Sequence, residues 1–148
     1  MGTAAQIRSF RVKAGKSRAE VAQHLGINAA WYDDLEQYDD ELVSTLTLFQ
    51  AMNLAELLGV RLSDLVETAA CSSGQHISLV TLPSRIRAYA TQNGISIEQL
   101  ADQVGWELDE VMDSPLKGAA EHPIIFLQTL AGQLGINWMC LIPPENTP

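Results

Sequence analysis

The chain has 148 residues, a formal net charge of −9, 47% hydrophobic residues and 18% charged ones. That length suits one ordinary domain or two very small ones, and that apolar content excludes disorder as the main state. No run approaches the ~18 apolar residues of a membrane helix, and the opening MGTAAQIRSF lacks the apolar stretch of a signal peptide. A cytoplasmic protein is therefore expected. Two cysteines, Cys71 and Cys140, are too few for a disulfide scaffold. Two thiols in a reducing compartment are the default, and a bridge between them is left open.

In chain order, residues 1–68 read as a first run of short helices. Ser17-Arg18-Ala19-Glu20 is a capping box: the serine accepts from an orphan backbone N–H, and the acid three residues on reaches back. The helix it opens stops at Gly26, which can take the left-handed conformation of a tight turn. Val21, Ala22 and Leu25 form its apolar face. Asn28 caps the next helix, which turns Tyr32 and Leu35 inward. Leu46 to Leu58 is a strongly apolar helix closed by Gly59.

Residues 69–83 form a seam. Ala69 to Gln75 has linker composition, and His76 to Leu82 reads as a short extended stretch before Pro83. Residues 84–142 then repeat the first run. Ile7-Arg8 returns as Ile86-Arg87 and Leu25-Gly26 as Val104-Gly105, an offset of 79 (86 against 7). Leu58-Gly59-Val60 returns as Leu134-Gly135-Ile136, an offset of 76 (135 against 59). A second capping box stands at Ser96-Ile97-Glu98-Gln99, and Phe126 to Leu134 is a second strongly apolar helix. Residues 143–148 read as a frayed tail. The fold class is all-α, with about four or five short helices per copy. Copies of about 60 residues are marginal alone, so the two are expected to pack together.

Gly15, Ser17, Glu20-Val21-Ala22, Leu25-Gly26-Ile27, Tyr32, Leu35-Glu36, Leu54-Ala55, Leu58-Gly59 and Leu65 together carry a resemblance. Residues 7–66 resemble the lambda-repressor-like helix-turn-helix domains of the xenobiotic-response-element group. Residues 86–142 resemble it more weakly: Ala101, Gly105 and Val111 hold, but Ser114-Pro115 replaces Leu35-Glu36, and the proline should end that helix early. The resemblance implies two tandem helix-turn-helix bundles, the second degenerate. It also implies that the second helix of each motif presents its N-terminal residues to the DNA major groove.

Those positions are unsuited to DNA. The first copy offers Ala29, Ala30, Trp31, Asp33 and Asp34, and the second Leu108, Asp109, Glu110, Met112 and Asp113. Neither helix has a Lys or Arg, and Asp33 to Glu41 holds six acids and no base. Duplex DNA is a polyanion that needs cationic contacts. The favoured reading is a protein-binding one: Trp31, Asp33, Asp34, Tyr38, Asp39 and Asp40 form one surface for a basic protein partner, and Asp109, Glu110 and Asp113 a second. The family's precedents imply an antitoxin or immunity-like inhibitor, with a basic nuclease as the sharpest partner, since an acidic patch steers such an encounter. Glu36 stands where the family commonly has Glu and is expected to be structural.

The alternative is a transcription regulator. Five of the nine basic residues are Arg8, Arg11, Lys13, Lys16 and Arg18. In this reading Arg8, Arg11, Lys16, Ser17 and Arg18 hold DNA phosphate at a helix N-terminus. A bare oligomerisation module is the third reading. Tyr32, Trp106 and Trp138 are expected in the core. His24, His76 and His122 are scattered, and no C-x-x-C, H-E-x-x-H, G-x-S-x-G, Walker loop or G-x-G-x-x-G occurs. Hence no metal and no cofactor is expected, and an enzyme is the least favoured class.

Overall fold

Regular structure is helical throughout the described residues, which are 2–66, 71 and 77–141 of a computed structural model. The chain divides into two compact units, Met1–Ala69 and Ala70–Pro148. No helix of the described residues is long and apolar enough to cross a membrane.

The first unit contains α1 (Thr3–Lys13), α2 (Arg18–Leu25), α3 (Ala29–Leu35), α4 (Glu41–Thr45), α5 (Leu48–Leu58) and α6 (Leu62–Val66). Its local signals act as the sequence reads. The Ser17 hydroxyl accepts from the Glu20 N–H, and the Glu20 carboxylate accepts from the Ser17 N–H, both at 3.1 Å. Asn28 Oδ1 accepts from the Trp31 N–H at 2.7 Å. Gly26 sits at φ 72° and closes α2, with the Ile27 N–H returning to the Ala22 carbonyl at 3.0 Å. A side chain at that φ would be strained, which is why glycine is needed there. α2 packs on α3 and α5, and α1 on α6. Ile7, Val21, Tyr32, Leu35, Leu54 and Leu65 are fully enclosed between them. The apolar helix begins at Leu48 rather than Leu46: Thr47 caps it with Gln50, and Leu46 stays extended.

The second unit contains α7 (Leu82–Asn93), α8 (Ile97–Val104), α9 (Asp109–Asp113), α10 (Pro115–Ala120) and α11 (Ile124–Leu134), with single 3-10 turns at Leu79–Thr81 and Trp138–Cys140. The expected extended stretch before Pro83 is not extended beyond Ser78. Ser78 caps the 3-10 turn, which runs directly into α7, with Pro83 inside its first turn. The buried residues Leu79, Leu82, Ile86 and Ala90 explain why. They recur at steps of three and four, the helical period. His76 lies outside the described residues, as do residues 143–148.

Ser96 and Gln99 form the second capping box, and Gly105 closes α8 at φ 70°. α9 does end early, at Asp113, and Pro115 opens α10, where its missing N–H costs nothing. α11 starts at Ile124, two residues before the expected Phe126. Trp106 and Trp138 are buried, as expected. The two cysteines are not thiols: Cys71 and Cys140 form a disulfide within the second unit. Leu108 is a further correction. It is 2% exposed and precedes α9, so it belongs to the core and not to a reading surface.

Candidate functional site

In the first unit, the acids and bases of the two competing surfaces are partly spent on each other. Glu36 lies at the end of α3 with 3% of its side chain exposed. Arg11 reaches it from α1 with two of its three guanidinium nitrogens, Nε to Oε2 at 2.6 Å and Nη2 to Oε1 at 3.2 Å. Arg11 Nη1 also donates to the Lys16 carbonyl at 3.0 Å. Arg18 adds a second cation, with Nε 3.4 Å from Glu36 Oε1 and Nη1 3.9 Å from Asp33. Burial works against the Glu36 carboxylate, but the hydrogen bonding of Arg11 and Tyr32 and the charges of Arg11 and Arg18 outweigh it and lower its pKa. The same pairing raises the Arg11 pKa, mainly through the Glu36 hydrogen bond. Tyr32 is fully buried, and desolvation pushes its phenol pKa up.

This network decides the fate of the phosphate-binding set. Arg11 is turned inward to Glu36, Arg18 reaches Glu36 with half of its side chain still exposed, and the Ser17 hydroxyl is committed to its cap. Arg8 and Lys13 are exposed and Lys16 half-buried, and none of the three is in an ion pair among the described residues. The cationic surface is therefore thinner than the composition implies.

The acidic set divides as well. Trp31 is half-buried, and its indole N–H donates to Thr45 Oγ1 at 2.7 Å, which in turn donates to the Glu41 carbonyl at 2.8 Å. The ring is thus fastened to α4. Asp39 accepts from the Ala4 N–H at 3.0 Å, so it caps α1 from 35 residues away. A Cβ on Gly2 would collide with that carboxylate. Asp34 is half-buried and Asp40 exposed, and no ion pair holds either among the described residues. Tyr38 is 55% exposed beside them in sequence. In the second unit Asp109 and Asp113 are exposed, and Glu110 is half-buried with Oε2 3.8 Å from His122 Nε2.

The ion-pair network was not readable from local sequence, since Arg11 and Glu36 lie 25 positions apart. Nor was the meeting of Glu110 with His122, which only the packing of α9 and α10 brings about. Among the described residues no three His, Cys, Asp or Glu side chains converge as metal ligands would. No protein-family model, curated protein or solved structure matches this chain.

Proposed function

We propose that this chain is a non-enzymatic, acidic binding protein of two tandem helix-turn-helix repeats whose target is a basic protein. The inhibitor of a basic nuclease, antitoxin- or immunity-like, is its sharpest form. The observation that carries the reading is the inward turn of Arg11 onto the buried Glu36. It withdraws one of the cations on which phosphate binding depends, and the half-exposed Arg18 shares its charge with Glu36 and Asp33, while Asp34 and Asp40 stay available on the same unit. The glycine-closed α2–α3 and α8–α9 pairs, with Gly26 and Gly105 both left-handed, support the repeat.

The contact surface is Trp31, Asp33, Asp34, Tyr38 and Asp40 on the first unit, and Asp109, Glu110 and Asp113 on the second. Asp39 contributes charge, but its geometry is fixed by α1. Cytoplasmic action belongs to this reading and requires Cys71–Cys140 to be reduced there, since disulfides are rare in that compartment. Thiol trapping before lysis checks this point, and an oxidised pair would place the chain in an oxidising compartment instead.

The test has two arms. Fluorescence anisotropy of a labelled random duplex at low salt is expected to show no binding, because low salt magnifies the phosphate contribution that a DNA binder needs. Affinity capture with the wild type should retain a basic protein that an Asp34→Lys/Asp40→Lys variant loses. With the captured protein in hand, that double reversal should slow association by about tenfold or more and flatten its salt dependence. Salt-sensitive duplex binding that Arg8→Ala and Lys16→Ala weaken would sink the proposal in favour of a transcription regulator.

A further inference from the structure

A cleft of about 380 Å³ opens in the second unit, lined by Trp106, Glu107, Asp109, Glu110, His122 and Phe126. Its size lies at the small end of the ~300–1,000 Å³ typical of ligand sites. Two properties of its wall define what fits. The first is aromatic. The Trp106 and His122 rings lie 5.5 Å apart, Trp106 and Phe126 5.8 Å, and His122 and Phe126 6.3 Å edge to face. Such rings attract a cation, most strongly when it is partly desolvated. Three carboxylates share the lining, and no Lys or Arg does.

The second property is a mismatch of acceptors. His122 Nδ1 lies 2.7 Å from the Gly118 carbonyl oxygen. A carbonyl only accepts, so Nδ1 carries the proton, and in the neutral ring Nε2 is left with a lone pair. That lone pair stands 3.8 Å from Glu110 Oε2, a second acceptor. With Nε2 unprotonated neither satisfies the other, whereas a ring protonated on both nitrogens would pair with Glu110. A group with several N–H donors and a positive charge satisfies both, and a planar one also stacks on the rings. Guanidinium has these properties: a flat, permanently charged fork of donors.

We propose that this cleft binds a guanidinium group, and that its source is an arginine side chain of the basic partner. The guanidinium site stands on the cleft alone; only the source of the arginine rests on the partner-binding reading. Glu110 and His122 Nε2 take the N–H donors, Asp109 and Glu107 supply long-range attraction, and the Trp106 and Phe126 rings provide the stacking wall.

The test is a nitrogen-15 NMR titration of the full chain. It follows the Trp106 indole N–H and the His122 ring nitrogens. The probes are methylguanidinium, N-acetyl-arginine amide and tetramethylammonium at matched ionic strength. Both guanidinium probes should give saturable shifts of Trp106 and His122, and Glu110→Gln should weaken them by about threefold to fivefold. Tetramethylammonium, which has the charge but no N–H donor, should bind more weakly than either. Absence of saturable shifts with both guanidinium probes overturns the site. So does an equal response to tetramethylammonium, or an unchanged affinity in a folded Glu110→Gln variant. Tighter binding of the arginine amide than of methylguanidinium supports a protein side chain as the source, and equal affinity overturns that source. These probes need no partner, so a failed capture experiment and a failed titration are separately visible.

Discussion

Glu36 holds a negative charge with 3% of its side chain exposed, and two arginines keep it there. An isolated buried charge is costly, so removing one partner hurts more than removing the pair. Arg11→Ala should cost about 3–5 kcal/mol in urea unfolding of the first unit, and Arg11→Met/Glu36→Leu together considerably less. The pH dependence follows from the lowered Glu36 pKa. A carboxylate whose folded pKa is depressed contributes its stability fully above the unfolded value. That contribution disappears as pH falls through the folded value. Wild type should therefore lose more stability between pH 7 and about pH 3 than Glu36→Gln does, since the amide has nothing to protonate. Parallel losses in the two proteins would show that Arg11 contributes nothing through charge. The burial of Glu36 agrees with the structural role expected for it, but its partners are not legible in the sequence. Composition counts Arg11 among the exposed cations, and only the fold, which brings α1 to the end of α3 across 25 positions, turns it inward.

At the scale of elements, the signals that worked were those completed within one turn of helix. Both serine capping boxes form, and Gly26, Gly59, Gly105 and Gly135 all close helices in the left-handed region. The segment before Pro83 differs from its expected extended form. Its alternation of apolar and polar residues satisfies a strand as well as a helix over so short a span, and burial of Leu79, Leu82 and Ile86 together selects the helix. Gly118 was not readable at all. It has no positive φ and lies inside α10, where glycine is ordinarily a liability. The reason for it is the neighbouring helix: a Cβ there would stand 2.8 Å from Val111 N and 2.9 Å from Val111 Cα. The backbones of α9 and α10 meet at that point, and neither can yield as a flexible side chain would. Gly118→Ala should thus destabilise the second unit by about 1–3 kcal/mol. Gly132 is the internal control, because it lies inside α11 with nothing within 4 Å of its would-be Cβ. Gly132→Ala should stabilise by ~0.5–1 kcal/mol. Thermal melts of the two variants should move in opposite directions, and a shared direction would refute the close-approach argument.

The whole molecule solves one size problem in two ways. Chains near 60–70 residues bury too little surface to be comfortable alone. The first unit adds a buried ion pair and the long-range cap from Asp39 to the start of α1. The second adds a covalent staple, since Cys71 and Cys140 lie 69 positions apart and bracket all of α7–α11. The Ile77 N–H also donates to the Cys140 carbonyl at 2.6 Å, so the start of the second unit is fastened to its end twice. Pairing of two cysteines cannot be read from their spacing, because it depends on how five helices fold back. Opening a loop of that size returns chain entropy to the unfolded state worth about 4 kcal/mol. Reduction, or Cys71→Ser with Cys140→Ser, should therefore lower protection from hydrogen exchange across α7–α11 by a large factor and leave α1–α6 little changed. The guanidinium cleft lies on the unit that loses stability, and its His122–Glu110 geometry depends on α9 and α10 keeping their packing. Arginine-amide affinity should consequently fall under reductant if reduction brings the second unit near its unfolding midpoint, and stay constant if it does not. Equal loss of protection in α1–α6 and α7–α11 would show instead that the bridge stabilises the chain as one cooperative body.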